Sequence, residues 1–167
     1  MTRTTRDDNH HHRDDGTRPA AARPHRESSP SGAGRVLGAL GHRWPTVLAL
    51  ALVVVTFVDG VPPVGLLAAL LVVMPLCYLL FGSLRGELRR PGVLVVQIAG
   101  LLGFTAVALA ALAVDGTLGL YVVAAGWLAH GIWDFAHHRT GKVVPRAWSE
   151  WCCVVDVLGA LSMAVMA

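Results

Sequence analysis

The residues best suited to chemistry form one run, His130-Gly131-Ile132-Trp133-Asp134-Phe135-Ala136-His137-His138-Arg139, inside a long apolar stretch. At about 100° of rotation per helical residue, His130, Asp134 and His138 share a face, with His137 about 60° from Asp134. Two imidazoles and a carboxylate on one stripe are the donors of a two-His-one-carboxylate site for a divalent transition metal such as Fe or Zn, in a binding or a redox role. The same groups suit a proton or ion relay, because imidazole titrates near neutral pH. A structural reading is also open, in which His130 pairs with Asp134 or Asp156 between helices while His137, His138 and Arg139 act as favourable cations at a helix end. Ionisable groups this deep in an apolar span are costly and face protein or water rather than lipid.

A second stripe matches the first. Ser149, Cys152, Cys153, Asp156, Gly159 and Ala160 recur at spacings of three and four, a polar and small face opposite Val, Leu and Met. The connector between the two stripes is short, so their helices are antiparallel neighbours. Counting about 1.5 Å per residue from the shared end places His130 and Asp156 both about 12 Å deep. His130, Asp134, His138 and Asp156 are therefore the expected metal ligands, with His137, Cys152, Cys153 and Glu150 as further donors close by.

Asp134-x-x-His137-His138 together with His130 resembles the histidine boxes of membrane fatty-acid desaturases and hydroxylases, which hold two irons at the cytoplasmic ends of helices. Asp134 stands where a box has histidine and no second or third box follows, so that activity is not implied. His130–Arg139, then Val144-Pro145-Arg146 and Trp151-Cys152-Cys153-x-x-Asp156, is also similar to small bacterial integral membrane proteins. That likeness covers the last two spans and implies a membrane location but no activity.

The elements that must position these residues are hydrophobic runs at roughly 44–58, 63–81, 92–114, 117–136 and 147–167, which predict an all-α polytopic bundle of five transmembrane helices. All fourteen Lys and Arg fall before the first run, between the second and third, or between the fourth and fifth. The connectors Asp59-Gly60-Val61-Pro62 and Asp115-Gly116 carry none. Positive charge in short loops stays cytoplasmic, so the expected topology has the N-terminus in and the C-terminus out, in a cytoplasmic (inner) membrane. The first run is short for a full crossing. Pro75 is expected to kink the second helix. Ala99, Gly103, Ala106, Ala110 and Ala113 make a small-residue seam on the third, expected to let another backbone come close.

Composition limits the class. With 54% hydrophobic and 15% charged residues, and a mean hydropathy of +0.55, the chain is not a water-soluble globule. Residues 1–34 are Arg-, Asp-, His- and Pro-rich and lack aromatics, so they are expected to form a disordered cytoplasmic tail, in which His10-His11-His12 among aspartates is a solvated polar cluster. Residues 35–167 are the five-span bundle, opening on a basic, mildly amphipathic segment at 35–43. A net charge of +3 is spent on orientation and on anionic lipid headgroups, so no nucleic-acid partner is expected. The expected partners are the bilayer itself and, compatibly with this architecture, further copies of the chain. Cys77, Cys152 and Cys153 all lie in or beside spans, where no extracytoplasmic disulfide framework is available.

Overall fold

The computed structural model describes residues 43–167. The tail at 1–34, its histidine cluster and residues 35–42 of the basic segment lie outside the described residues. Five α-helices follow one another: α1 (Trp44–Phe57), α2 (Val64–Leu84), α3 (Val93–Leu112), α4 (Gly116–Thr140) and α5 (Arg146–Met166), with a 3-10 turn at Glu87–Arg89. No strand occurs among the described residues. α2, α3 and α5 are long and apolar enough to cross a membrane, whereas α1 is apolar but only 14 residues long.

Helix boundaries follow from local chemistry. Pro45 opens α1 and Pro63 and Pro145 precede α2 and α5, positions where a missing N–H costs nothing. α4 runs beyond the end of its apolar stretch because His137, His138 and Arg139 suit the negative end of the helix dipole. It stops at Gly141, whose φ of 63° is left-handed and whose N–H donates to His137 O. Pro75 is buried within α2, and the helix continues unbroken through it.

α4 is the hub, packing on α2, α3 and most extensively α5. Its buried face carries Gly119, Val123, Gly126, Trp127, His130, Gly131 and Asp134. α5 buries Ser149, Cys152, Asp156, Gly159, Ala160 and Met163, so its polar and small stripe is the face turned inward. Close approach of the two helices requires glycine. A Cβ on Gly131 would stand 3.1 Å from Val157 Cγ2 and 3.3 Å from Asp156 Cβ, and one on Gly159 would meet the Trp127 ring at 2.9 Å.

α1 presents Pro45, Ala49, Val53 and Phe57 at four-residue spacing and packs along α5, without backbone contact to α2. The seam on α3 is a correction to the expectation. Ala99, Gly103, Ala106, Ala110 and Ala113 face outward, and the buried side of α3 is Gln97, Phe104, Ala108 and Ala111. Larger buried neighbours fix the rotation of this helix: Gln97 has a polar partner inside and Phe104 fills space beside His130 and Trp133.

The basic connectors gather at one end. Arg85 donates from Nε to Lys142 O at 3.1 Å and from Nη2 to Gly141 O at 3.2 Å, tying the α2–α3 and α4–α5 connectors together. Thr46 Oγ1 donates to Glu150 Oε1 at 2.6 Å, placing the start of α1 beside the start of α5.

Candidate metal centre

His130, Asp134 and Asp156 converge inside the bundle, each fully buried. His130 Nδ1 lies 2.7 Å from Asp156 Oδ2 and 3.4 Å from Asp134 Oδ2, so the ring N–H donates to α5 and also faces the carboxylate one turn along its own helix. One donor atom from each of the three residues falls within 4.8 Å of the others. The sequence produces this locally in two ways. A four-residue step brings Asp134 under His130, and Gly131 removes the side chain that would hold Asp156 away.

Three polar atoms of this cluster have no hydrogen-bond partner: His130 Nε2, Asp134 Oδ2 and Asp156 Oδ1. A buried polar atom without a partner costs about 1–3 kcal/mol, and more if charged. The surroundings offer no relief, because His130 is edged by the rings of Phe104 at 4.9 Å and Tyr78 at 5.8 Å between centroids.

Tyr78 is the residue the spacing argument left out. From α2 its hydroxyl donates to Asp134 Oδ1 at 2.5 Å, and its side chain is completely buried. A phenol in mid-span on the same side as Leu71, Pro75 and Gly82 was the available signal, since such a hydroxyl must find a partner in the dry interior.

The other expected donors stand apart. His138 Nδ1 donates to Arg146 O at 3.1 Å and takes no part in the cluster. The physical reason is helical drift: each four-residue step advances about 40°, so His138 lies about 80° around and about 12 Å along from His130. His137 Nδ1 donates to Trp133 O at 2.9 Å, which leaves Nε2 as an acceptor, and Gln97 Nε2 donates to it at 2.9 Å. Both of its nitrogens are thereby used. Gln97, the buried polar residue of α3, finds its partner in this bond. Glu150 is held by Thr46 at the end of the bundle. Cys152 is buried and Cys153 and Cys77 half-buried, all three as free thiols.

The described residues thus form an all-helical bundle with three helices long and apolar enough to cross a membrane and a buried His/Asp cluster able to hold a metal ion. No family model, curated protein or solved structure matches the chain.

Proposed function

We propose that this is a five-span protein of a cytoplasmic membrane that holds a divalent transition metal, Fe or Zn, through His130, Asp134 and Asp156. The observation that carries the reading is the set of three unpartnered donor atoms on three adjacent buried side chains. Two carboxylates brought into an apolar interior beside one imidazole leave uncompensated charge, and a divalent cation both neutralises it and supplies the missing partner. One nitrogen and two carboxylate oxygens are a donor set suited to Zn(II) or Fe(II). Ligand bonds of about 2.1 Å put donors about 3.4 Å apart in a tetrahedral arrangement, so the widest separation in the cluster must shorten by on the order of 1 Å while the 2.7 Å His130–Asp156 contact opens. Tyr78 then acts behind the ligands, orienting the Asp134 carboxylate as outer hydrogen bonds do at metal sites.

The membrane reading is supported by the surface and the ends of the bundle. Val54, Val55, Val95, Leu102 and Val165 are 63–84% exposed, an outer face suited to lipid and not to water. Arg85, Lys142 and Arg146 share one end with Trp44, Trp148 and Trp151, which line a common groove. Basic residues and tryptophans at one level are the marks of a cytoplasmic interface, with anionic headgroups as the lipid partner. In this reading the N-terminus is inside, the C-terminus outside, and the short α1 crosses with help from interfacial residues.

Elemental analysis of the full chain, extracted from membranes in mild detergent, tests the proposal. Stoichiometric Fe or Zn is expected, falling to background in His130→Ala, Asp134→Ala and Asp156→Ala. Wild-type protein without stoichiometric metal overturns it and leaves the His130–Asp156 pair as a link between helices.

A further inference from the structure

Two guanidinium groups meet at one residue where the basic connectors gather. Arg85 closes α2 and donates from Nε to Lys142 O and from Nη2 to Gly141 O, so its planar head is fixed across the α4–α5 connector. Arg146, the first residue of α5, lies against the same glycine. A Cβ on Gly141 would stand 2.9 Å from Arg146 Nε and 3.4 Å from its Cγ, so the missing side chain gives Arg146 its place. The carbonyls orient Arg85 without neutralising it and use two of its five N–H donors, which leaves three for a ligand. Arg146 joins the hydrogen bonding of the described residues through its carbonyl alone. Neither arginine has a carboxylate partner among the described residues, whereas Arg90 in the α2–α3 connector is paired with Glu87 at 2.9 Å. Like charges gathered on one glycine repel, and an anion held between them removes that cost. The approach to the pair is apolar. Leu76, Leu80 and Leu84 of α2 are all exposed at four-residue spacing, an outward ridge whose last member is the residue before Arg85.

We propose that Arg85 and Arg146 together hold the phosphate of a phosphomonoester lipid, of the phosphatidic acid class, with an acyl chain along the Leu76–Leu84 ridge. The number of forks selects the headgroup. A guanidinium engages two phosphate oxygens side by side, so two of them are matched by a group with three terminal oxygens. A phosphomonoester has those three oxygens and a charge of about −1.5 to −2 at neutral pH. A phosphodiester headgroup offers two free oxygens and one charge, enough for one fork. The ridge selects a lipid over a free phosphate, because it gives an attached chain an apolar surface to cover. The inference rests on the membrane reading, which calls for anionic headgroups in general, and deepens it to one saturable site. It is independent of the metal.

The test follows thermal unfolding of the full chain in mild detergent as short-chain lipids are added, since a ligand of the folded state raises the midpoint. The probes are dioctanoyl phosphatidic acid, phosphatidylglycerol and phosphatidylcholine, with glycerol 3-phosphate as the headgroup without chains. Phosphatidic acid is expected to give a saturable rise, half-complete at a concentration about tenfold below that for phosphatidylglycerol, because one charge-assisted bond is worth that factor or more. Arg146→Gln should raise that concentration about tenfold, and Arg89→Gln, on a residue with no contact to Gly141, should leave it at the wild-type value. Arg85→Gln should weaken binding as well, but it also breaks two connector bonds, so Arg146→Gln decides. Equal response to phosphatidic acid and phosphatidylglycerol, or equal losses in Arg89→Gln and Arg146→Gln, overturns the proposal in favour of a diffuse basic surface and leaves the membrane reading intact. Glycerol 3-phosphate binding as tightly as the lipid overturns it in favour of a soluble anion. A chain recovered in the soluble fraction of a lysate fails the membrane reading itself, and this site with it.

Discussion

Tyr78 of α2 and Asp134 of α4, 56 residues apart in the chain, are joined by a 2.5 Å hydrogen bond in the dry centre of the bundle. This bond draws α2 into a cluster that His130 and Asp156 would otherwise form between α4 and α5 alone. It also satisfies one oxygen of Asp134 and leaves the other turned to His130.

Replacing Tyr78 by Phe removes that donor while keeping the ring. Both Asp134 oxygens are then unpartnered in a buried site, and the expected loss is about 1–3 kcal/mol of stability. Denaturant titration of the full chain in detergent measures it. Metal should still bind, more weakly by about 10- to 100-fold, because an orienting partner and not a ligand has gone. An unchanged unfolding midpoint would show that the bond contributes nothing.

The three histidines of α4 should behave differently. His130→Ala is expected to abolish metal, whereas His138→Ala removes only a bond to the Arg146 carbonyl and should leave metal content at the wild-type level. His137→Ala strands the Gln97 amide, so it should cost about 1–3 kcal/mol without loss of metal. Metal analysis of the three variants side by side decides the matter, and loss of metal from His138→Ala would place the site elsewhere.

Gly131 tests the crossing of α4 and α5. A Val side chain there collides with Val157, Asp156 and the Cys153 backbone, where even a Cβ lies within 3.1–3.6 Å of them. Overpacking of this kind costs about 1–3 kcal/mol, and the separation it forces should also pull Asp156 from His130. Gly131→Val should therefore lower thermal stability and metal affinity together. Retention of both would mean that the helices have room to give.

Topology can be read with single cysteines, in a background where Cys77, Cys152 and Cys153 are replaced by Ser or Ala. Engineered thiols at positions 89 and 142 should react with an impermeant maleimide only after the membrane is opened to the cytoplasmic side. One at position 59 or 115 should react from outside, since those connectors carry acidic residues and no Lys or Arg. External labelling at position 142 is incompatible with five spans and an inward N-terminus.

The sequence by itself determined the five helices, because apolar runs separated by Pro, Gly and charge have few other ways to satisfy a backbone away from water. It also determined the pairing of stripes. The four-residue step from His130 to Asp134 and the three-and-four spacing of Ser149, Cys152 and Asp156 are properties of one helix each, legible without a fold, and their shared distance from a short connector brings them level. What lay beyond it depended on contacts between helices distant in the chain. Tyr78 reaches Asp134 only because of how α2 is rotated on α4, and Gln97 occupies His137 only because Phe104 turns α3 inward, carrying the small-residue seam to the outside. His138 fell away because a helix with 3.6 residues per turn drifts out of line over eight positions, a small error per step that sequence spacing hides and a packed neighbour exposes. The gap between α1 and α2 is likewise tertiary. It follows from α1 fitting its Pro45, Ala49, Val53 and Phe57 ridge along α5, a choice of partner that a uniformly apolar helix does not encode.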